Sequence, residues 1–354
     1  MKQYREMVQA IKERGVYKPA ARENMPGTTS LFGYQFRHNL ADGFPALTTK
    51  QLYWKGVVIE LLWFLSGDTN IKFLDQHGVR KMWHEDAYNY YIKRCNQENI
   101  TPVSFEIFCD FITTQNFSKI RVNKPKNYDY GDCGVQYGQL WRNWKGVDQI
   151  QDLIEGLKKN PMSRRHILTA WNPATLDDMA LNACHAMAQW NCRPLTLGER
   201  VALLEDKGFE MFGSSSDNDF KMKVLDAENI SRYYLDCQMY QRSADVFLGV
   251  PLNIASYALL TEILCKICNM VPGEMVYTYG DVHIYDDHQD AINEQLSREE
   301  RDLPTLKIID EGNDWAAIKN LDFNLINMLN DNDFILENYN PHPTIKAKLS
   351  TGLK

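Results

Sequence analysis

The sequence predicts an α+β fold in a single unit, and three observations carry that expectation. Strand-like and helix-like segments follow one another without the even strand–helix–strand rhythm of a parallel α/β sheet. Two stretches, WKGVVIELLWFLSGDTN and PLNIASYALLTEILCKICNM, read as helices that are apolar nearly all round, which marks them as interior. Other stretches alternate apolar and polar residues, as half-buried strands do. The 354 residues are 44% hydrophobic, enough for one large core. We expect residues 1–354 to form one domain, with two weakly patterned stretches, 88–127 and 195–231, inserted into it.

MKQYREMVQAIKERG reads as an amphipathic helix and not as a cleavable leader. YKPAARENMPGTTS, rich in Pro, Gly and Thr, is a loop, and LFGYQFRHNL alternates like a strand. Gly67 and Asp68 end the first apolar helix, and TNIKFLDQHG begins the next. VDQIQDLIEGLKKNP is an amphipathic helix stopped by Asn160 and Pro161. RRHILTAWNP is a strand leading to an extended segment around Cys184. YYLDCQMYQRSADVFLG is a long strand with turn chemistry at its end. PLNIASYALLTEILCKICNM follows as the longest helix, with Pro251 in its first turn, and EMVYTYGDVHIY as another strand.

No run approaches the roughly eighteen apolar residues of a membrane span. A net charge of −7 argues against a duplex nucleic-acid or membrane-surface partner, so local arginines must meet any anionic ligand. The eight cysteines are scattered. Cys265 and Cys268 have C-x-x-C spacing but lie in an apolar helix without a second pair, so core packing is expected there and no metal. The expected setting is reducing and cytoplasmic.

Several residues carry chemistry. Cys184 directly precedes His185 in ALNACHAMAQWNC. Taken alone, a cysteine in an apolar run is more often packing than a nucleophile. Glu60 interrupts the first apolar helix. Either it points out at the helix edge, or it is a proton-handling group whose pKa is raised by burial. QRSAD sets Gln241, Arg242, Ser243 and Asp245 at a strand end, and SRRH offers Arg164 and Arg165. Arginine forks and a serine hydroxyl suit phosphate, although singly such residues are more often surface charges. His283 and Tyr285 share one strand face. Asn253, near a helix start, is either a cap or a reader of a pyrimidine edge.

DGFPALTTK, ELLWFLSGDTN, YGQLWR, SRRHILTAWNP, ACHA, YQRSADVFLGVPLNIASYALL, GDVHIY, QLSRE and PHPTIKA occur in this order from Met1 to about Ala347. In these motifs the chain resembles the superfamily of thymidylate synthases and pyrimidine deoxynucleotide hydroxymethylases. The resemblance implies a mixed, kinked sheet flanked by helices, and a homodimer packed sheet on sheet. It implies Cys184 as nucleophile, with nearby arginines helping to keep its thiolate ionised. Glu60, Tyr137 and His185 fall in the proton-transfer network. Arg22, or a shifted neighbour, would supply the family's loop arginine. Arg242 and Ser243, with Arg164 and Arg165 from the other subunit, hold the nucleotide phosphate, and Gln241 belongs to the same nucleotide-binding run. Asn253 reads the base, while His283 and Tyr285 hold the sugar. Trp83, Asp245, Leu248, Gly249 and Leu252 match the folate side. The implied cosubstrate is 5,10-methylenetetrahydrofolate, without a metal. The implied partners are a nucleotide, a folate and a second copy of the chain.

Departures from the family pattern cluster around the last chemical step. The family loop RTGTGT is here RENMPGTT, and PPCH or APCH is NACH, with Asn182 and Ala183 beside the nucleophile. RSCD is RSAD, with Ala244. Asp86 stands where a second tryptophan follows Trp83, and Leu252 replaces a phenylalanine. The tail IKAKLSTGLK runs longer than the family's and ends in lysine. A polar neighbour of the nucleophile and an altered lid would admit water where a synthase keeps its site dry. The expectation is a divergent, viral-type deoxyuridylate hydroxymethylase, placed in the host cytoplasm if the chain is viral. It would convert dUMP, methylenetetrahydrofolate and water to 5-hydroxymethyl-dUMP and tetrahydrofolate. The alternatives are a thymidylate synthase making dTMP and dihydrofolate, a dCMP hydroxymethylase, and an inactive scaffold or RNA-binding relative.

Overall fold

The computed structural model describes residues 1–20, 25–114, 124–209, 212, 217–309 and 329–348. Helix α1 (Lys2–Arg14) buries Tyr4, Met7, Val8 and Ile11, the three-and-four spacing of an amphipathic helix. Strands β1 (Val16–Lys18) and β2 (Thr28–Asn39) take up both ends of the stretch expected to be loop. Helix α2 (Trp54–Ser66) is buried on nearly every side and stops at Gly67, whose φ of 79° is left-handed. Then come α3 (Lys72–Gln76), α4 (His84–Gln97), α5 (Phe105–Thr114), α6 (Tyr137–Arg142) and α7 (Gln149–Lys159). Strand β3 (Ile167–Thr169) is shorter than RRHILTAWNP suggests, and β4 (His185–Pro194) starts directly after Cys184. Helices α8 (Leu197–Asp206) and α9 (Asn218–Ala227) lead to β5 (Tyr233–Asp245). Helix α10 (Gly249–Cys268), β6 (Val271–Tyr285), α11 (Gln289–Ser297), β7 (Thr305–Ile308) and β8 (Phe334–Glu337) complete the described elements.

Among the described residues, six strands form one sheet in the order β1-β2-β6-β5-β4-β3. Only β5 and β6 run parallel; the other pairs are antiparallel, so the sheet is mixed as expected. A parallel neighbour needs a crossover, and α10 provides it. By length and composition α10 is also apolar enough to cross a membrane, which the sequence reading did not anticipate. Here it lies inside the fold against α2, α7, β5 and β6.

Register brings the functional strand ends together. His185 stands opposite Gln241, Ser243 opposite Asp281, and Asp245 opposite His283. The β4–β5 pairing is irregular between His185 and Met187. Bulges of this kind bend a strand and re-aim nearby side chains, here just past Cys184.

The described parts of the two weakly patterned stretches each hold two helices and differ in how they are packed. Helix α4 and the residues after it join the main core through Tyr91, whose ring lies 5.3 Å from Phe108 and 5.5 Å from Tyr128 and Tyr130. Tyrosines blur the apolar periodicity because each carries a polar end. Helices α8 and α9 close their own small core on Leu204, Leu225 and Ile230. A capping box between Thr196 and Glu199 starts α8, and buried Arg200 pairs with Asp226 at 2.8 Å.

Candidate active site

Cys184 is fixed through its backbone before its thiol does anything. Its N–H donates to the Tyr137 hydroxyl at 2.8 Å, and its carbonyl accepts the Arg242 N–H at 2.8 Å. The Arg242 guanidinium donates from Nε to the Ala183 carbonyl (2.8 Å) and from Nη2 to the Asn182 carbonyl (2.6 Å). Nη2 also lies 3.9 Å from Cys184 Sγ. Burial pushes the Cys184 thiol up; Arg242 partly opposes this, and Asp86 adds to it. Arg242 thus acts on the thiol in the expected direction, toward the thiolate, and burial acts against it.

Behind Cys184 lies an aromatic block. The rings of Tyr137 and His185 stack at 4.0 Å and 12°. His185 Nδ1 pairs with the Tyr257 hydroxyl at 3.0 Å. Burial drives the His185 pKa down to about 3, so the ring is neutral at physiological pH. Glu60 belongs to this block and does not sit at a solvated helix edge. Trp83 Nε1–H donates to its Oε1 at 2.6 Å, and burial raises the Glu60 pKa to about 7 against that bond. Trp83, expected on the folate side, is 6% exposed; its N–H is engaged by Glu60, and its ring meets Tyr137 edge-on at 6.3 Å.

The ends of β5 and β6 supply the nucleotide-type residues. Gln241 is buried and donates to the Ser243 carbonyl at 3.1 Å, while its Oε1 is buried without a partner. Half-buried Ser243 follows Arg242 at the end of β5. His283 Nδ1 pairs with Asp281 at 2.9 Å, and Asp281 also takes Lys18. That His283 bond, with Lys18 and Ser30, holds the Asp281 carboxyl well below the usual range despite some burial. The Tyr285 ring sits 4.9 Å from His283. Burial pushes Tyr285 to about 12, and the charges of Asp245 and Cys184 add to the rise. Asn253 is the fifth residue of α10, past the cap position, which removes the capping alternative.

Asp245 Oδ1 accepts the N–H groups of Phe247 (2.9 Å) and Leu248 (3.3 Å), fixing the turn into α10. Its second oxygen takes no such bond and suits a polar ring edge. Half-buried Leu248 and Leu252 pack on the main core on either side of Gly249, an apolar pair next to the Asp245 carboxylate. Arg164 and Arg165 are exposed just before β3, away from any ion pair among the described residues. Arg22 and the tail from residue 349 lie outside the described residues.

Four partners escaped the sequence reading. Tyr257 holds His185, and Asp281 holds His283. Lys50, buried, donates to the Phe247 carbonyl and lies 3.6 Å from the Phe247 ring centre. His288, buried, bonds the Lys348 carbonyl through Nε2 at 2.8 Å, while its Nδ1 faces Asp245 at 3.6 Å. Only Asp281 had a local signal, since it shares a strand face with His283 two residues on. A family model described as thymidylate synthase matches residues 2–351 of the chain.

Proposed function

The chain belongs to the thymidylate synthase family, and from that premise we propose that it hydroxymethylates dUMP. The family establishes folate-dependent one-carbon transfer to C5 of a dUMP-type nucleotide. What supports the finer reading is the departure at Asn182, a polar residue two positions before Cys184, whose backbone carbonyl accepts from Arg242 and lies 3.8 Å from the Cys184 sulfur.

In this reading the Cys184 thiolate adds to C6 of the pyrimidine. C5 becomes an enolate carbon, and the amide of Asn253 meets the charge on O4. The bound folate, held by Asp245, Leu248 and Leu252, supplies the one-carbon unit. Glu60, poised near pH 7, and Tyr137 handle the proton that leaves C5. An exocyclic methylene then remains on the ring. Water captures it to give the hydroxymethyl group, and the returning electrons expel Cys184. Hydride capture requires a dry site, and a tenfold change in partition takes only about 1.4 kcal/mol. In this reading the polar Asn182 near Cys184 is the change that tips the partition toward water.

The same reading makes the protein a cytoplasmic homodimer. Gln35, Thr278, Tyr240 and Met187 form a row across four strands by register and are exposed or half-buried. A second copy of this sheet face is the proposed cover, and Arg164 and Arg165 then reach the phosphate site of the opposite subunit. The experiment that tests the function is product identification with dUMP and methylenetetrahydrofolate: 5-hydroxymethyl-dUMP supports it, and dTMP alone refutes it.

A further inference from the structure

The reading above provides water but no group to activate it, and the first turn of α4 carries a candidate. Trp83 caps α4 and Asp86 is its third residue, so the two share one helix face. Trp83 points its N–H at Glu60 and packs its ring on Tyr137, whose hydroxyl accepts the Cys184 N–H. Asp86 thus stands one helical turn from Trp83, the residue that touches both Glu60 and Tyr137. It is half-buried, and its charge reaches both the Cys184 and Cys133 thiols. Burial, then the neighbouring Glu85, raises its own pKa to about 7. A half-buried carboxylate on that helix face, with no ion pair among the described residues, is placed to exchange a proton with a group in the site.

We propose that Asp86 is a catalytic residue: the general base for the water that captures the exocyclic methylene. This rests on the hydroxymethylase reading. The water oxygen bonds to the methylene carbon, and the water proton passes to an Asp86 oxygen. The electron pair of the exocyclic double bond moves into the ring as the O4 enolate. Its return re-forms the C5–C6 double bond and releases the Cys184 thiolate. No oxidant or reductant is needed. Asp86 and Glu60 then divide the proton work, Glu60 serving the C5 proton and Asp86 the water.

The test compares wild type, Asp86→Asn and Asp86→Ala for hydroxymethyl product and for release of tritium from [5-³H]dUMP. Tritium release reports the steps before water addition and shows that each variant is folded. The proposal expects hydroxymethylation to fall by about a hundredfold or more, the usual worth of a general base, with tritium release falling far less. Added formate should partly restore Asp86→Ala, which a purely structural role would not allow. Wild type making hydroxymethyl product while Asp86→Asn keeps the same ratio of product to tritium release would overturn the role of Asp86 alone. Wild type making only dTMP would overturn the hydroxymethylase reading and this proposal with it.

Discussion

The indole N–H of Trp83 and the carboxylate of Glu60 meet at 2.6 Å, joining the start of α4 to the buried α2. That bond stabilises the charged carboxylate, whereas burial favours the neutral acid, and burial wins to place Glu60 near 7. Removing the donor leaves burial unopposed. Trp83→Phe should therefore move the Glu60 limb of the pH–rate profile upward by about one unit, the worth of one hydrogen bond to a charged group. Glu60→Gln should abolish the limb. An unmoved midpoint in Trp83→Phe would show that the bond has no hold on the titration.

Arg242 and burial pull the Cys184 thiol in opposite directions. Arg242→Gln should raise the thiol pKa further and slow alkylation by iodoacetamide several-fold at pH 8. Cys184→Ala should end turnover and alkylation at this site while leaving dUMP binding measurable. Equal alkylation rates in wild type and Arg242→Gln would place the guanidinium's effect elsewhere.

Much of this was legible in the sequence where local pattern decides structure. Helices α2 and α10 declared themselves by uninterrupted apolar faces, and β2, β5 and β6 by alternation. Cys184 and its neighbours were legible as a motif set, although spacing alone favoured packing. What stayed hidden depends on long-range placement. Tyr257 reaches His185 across 72 positions and Lys50 reaches Phe247 across 197, so nothing local marks either pair. The burial that opposes Arg242 at Cys184 was hidden too, because a sequence shows the arginine but not the depth at which the thiol lies. Helices α8 and α9 were missed because their apolar residues face a small private core, too few for a clear period.

Asn253 is past the helix cap and half-buried, and its proposed role is to read the base. Asn253→Asp should weaken dUMP use and improve dCMP use, because a protonated aspartate offers the donor and acceptor that cytosine requires. A shift of at least tenfold in the dCMP to dUMP ratio of kcat/KM is expected. Equal losses for both nucleotides would show that Asn253 does not discriminate.

If Arg164 and Arg165 act across a dimer, two inactive variants should rescue each other. Cys184→Ala and Arg165→Ala subunits, mixed and refolded together, form heterodimers with one site lacking both groups and one site intact. Activity should return in the mixture and be absent from either variant alone. No recovery from a mixture shown to contain heterodimers would place Arg165 in its own subunit's site or in none.

The central claim is that water, not hydride, captures the methylene. The most direct measurement incubates the protein with dUMP and methylenetetrahydrofolate in water enriched in oxygen-18. The nucleotide is then analysed by mass spectrometry, with near-ultraviolet absorbance followed in parallel. The account predicts 5-hydroxymethyl-dUMP carrying the heavy oxygen, with no dihydrofolate absorbance. Unlabelled dTMP with a stoichiometric rise in dihydrofolate would contradict it.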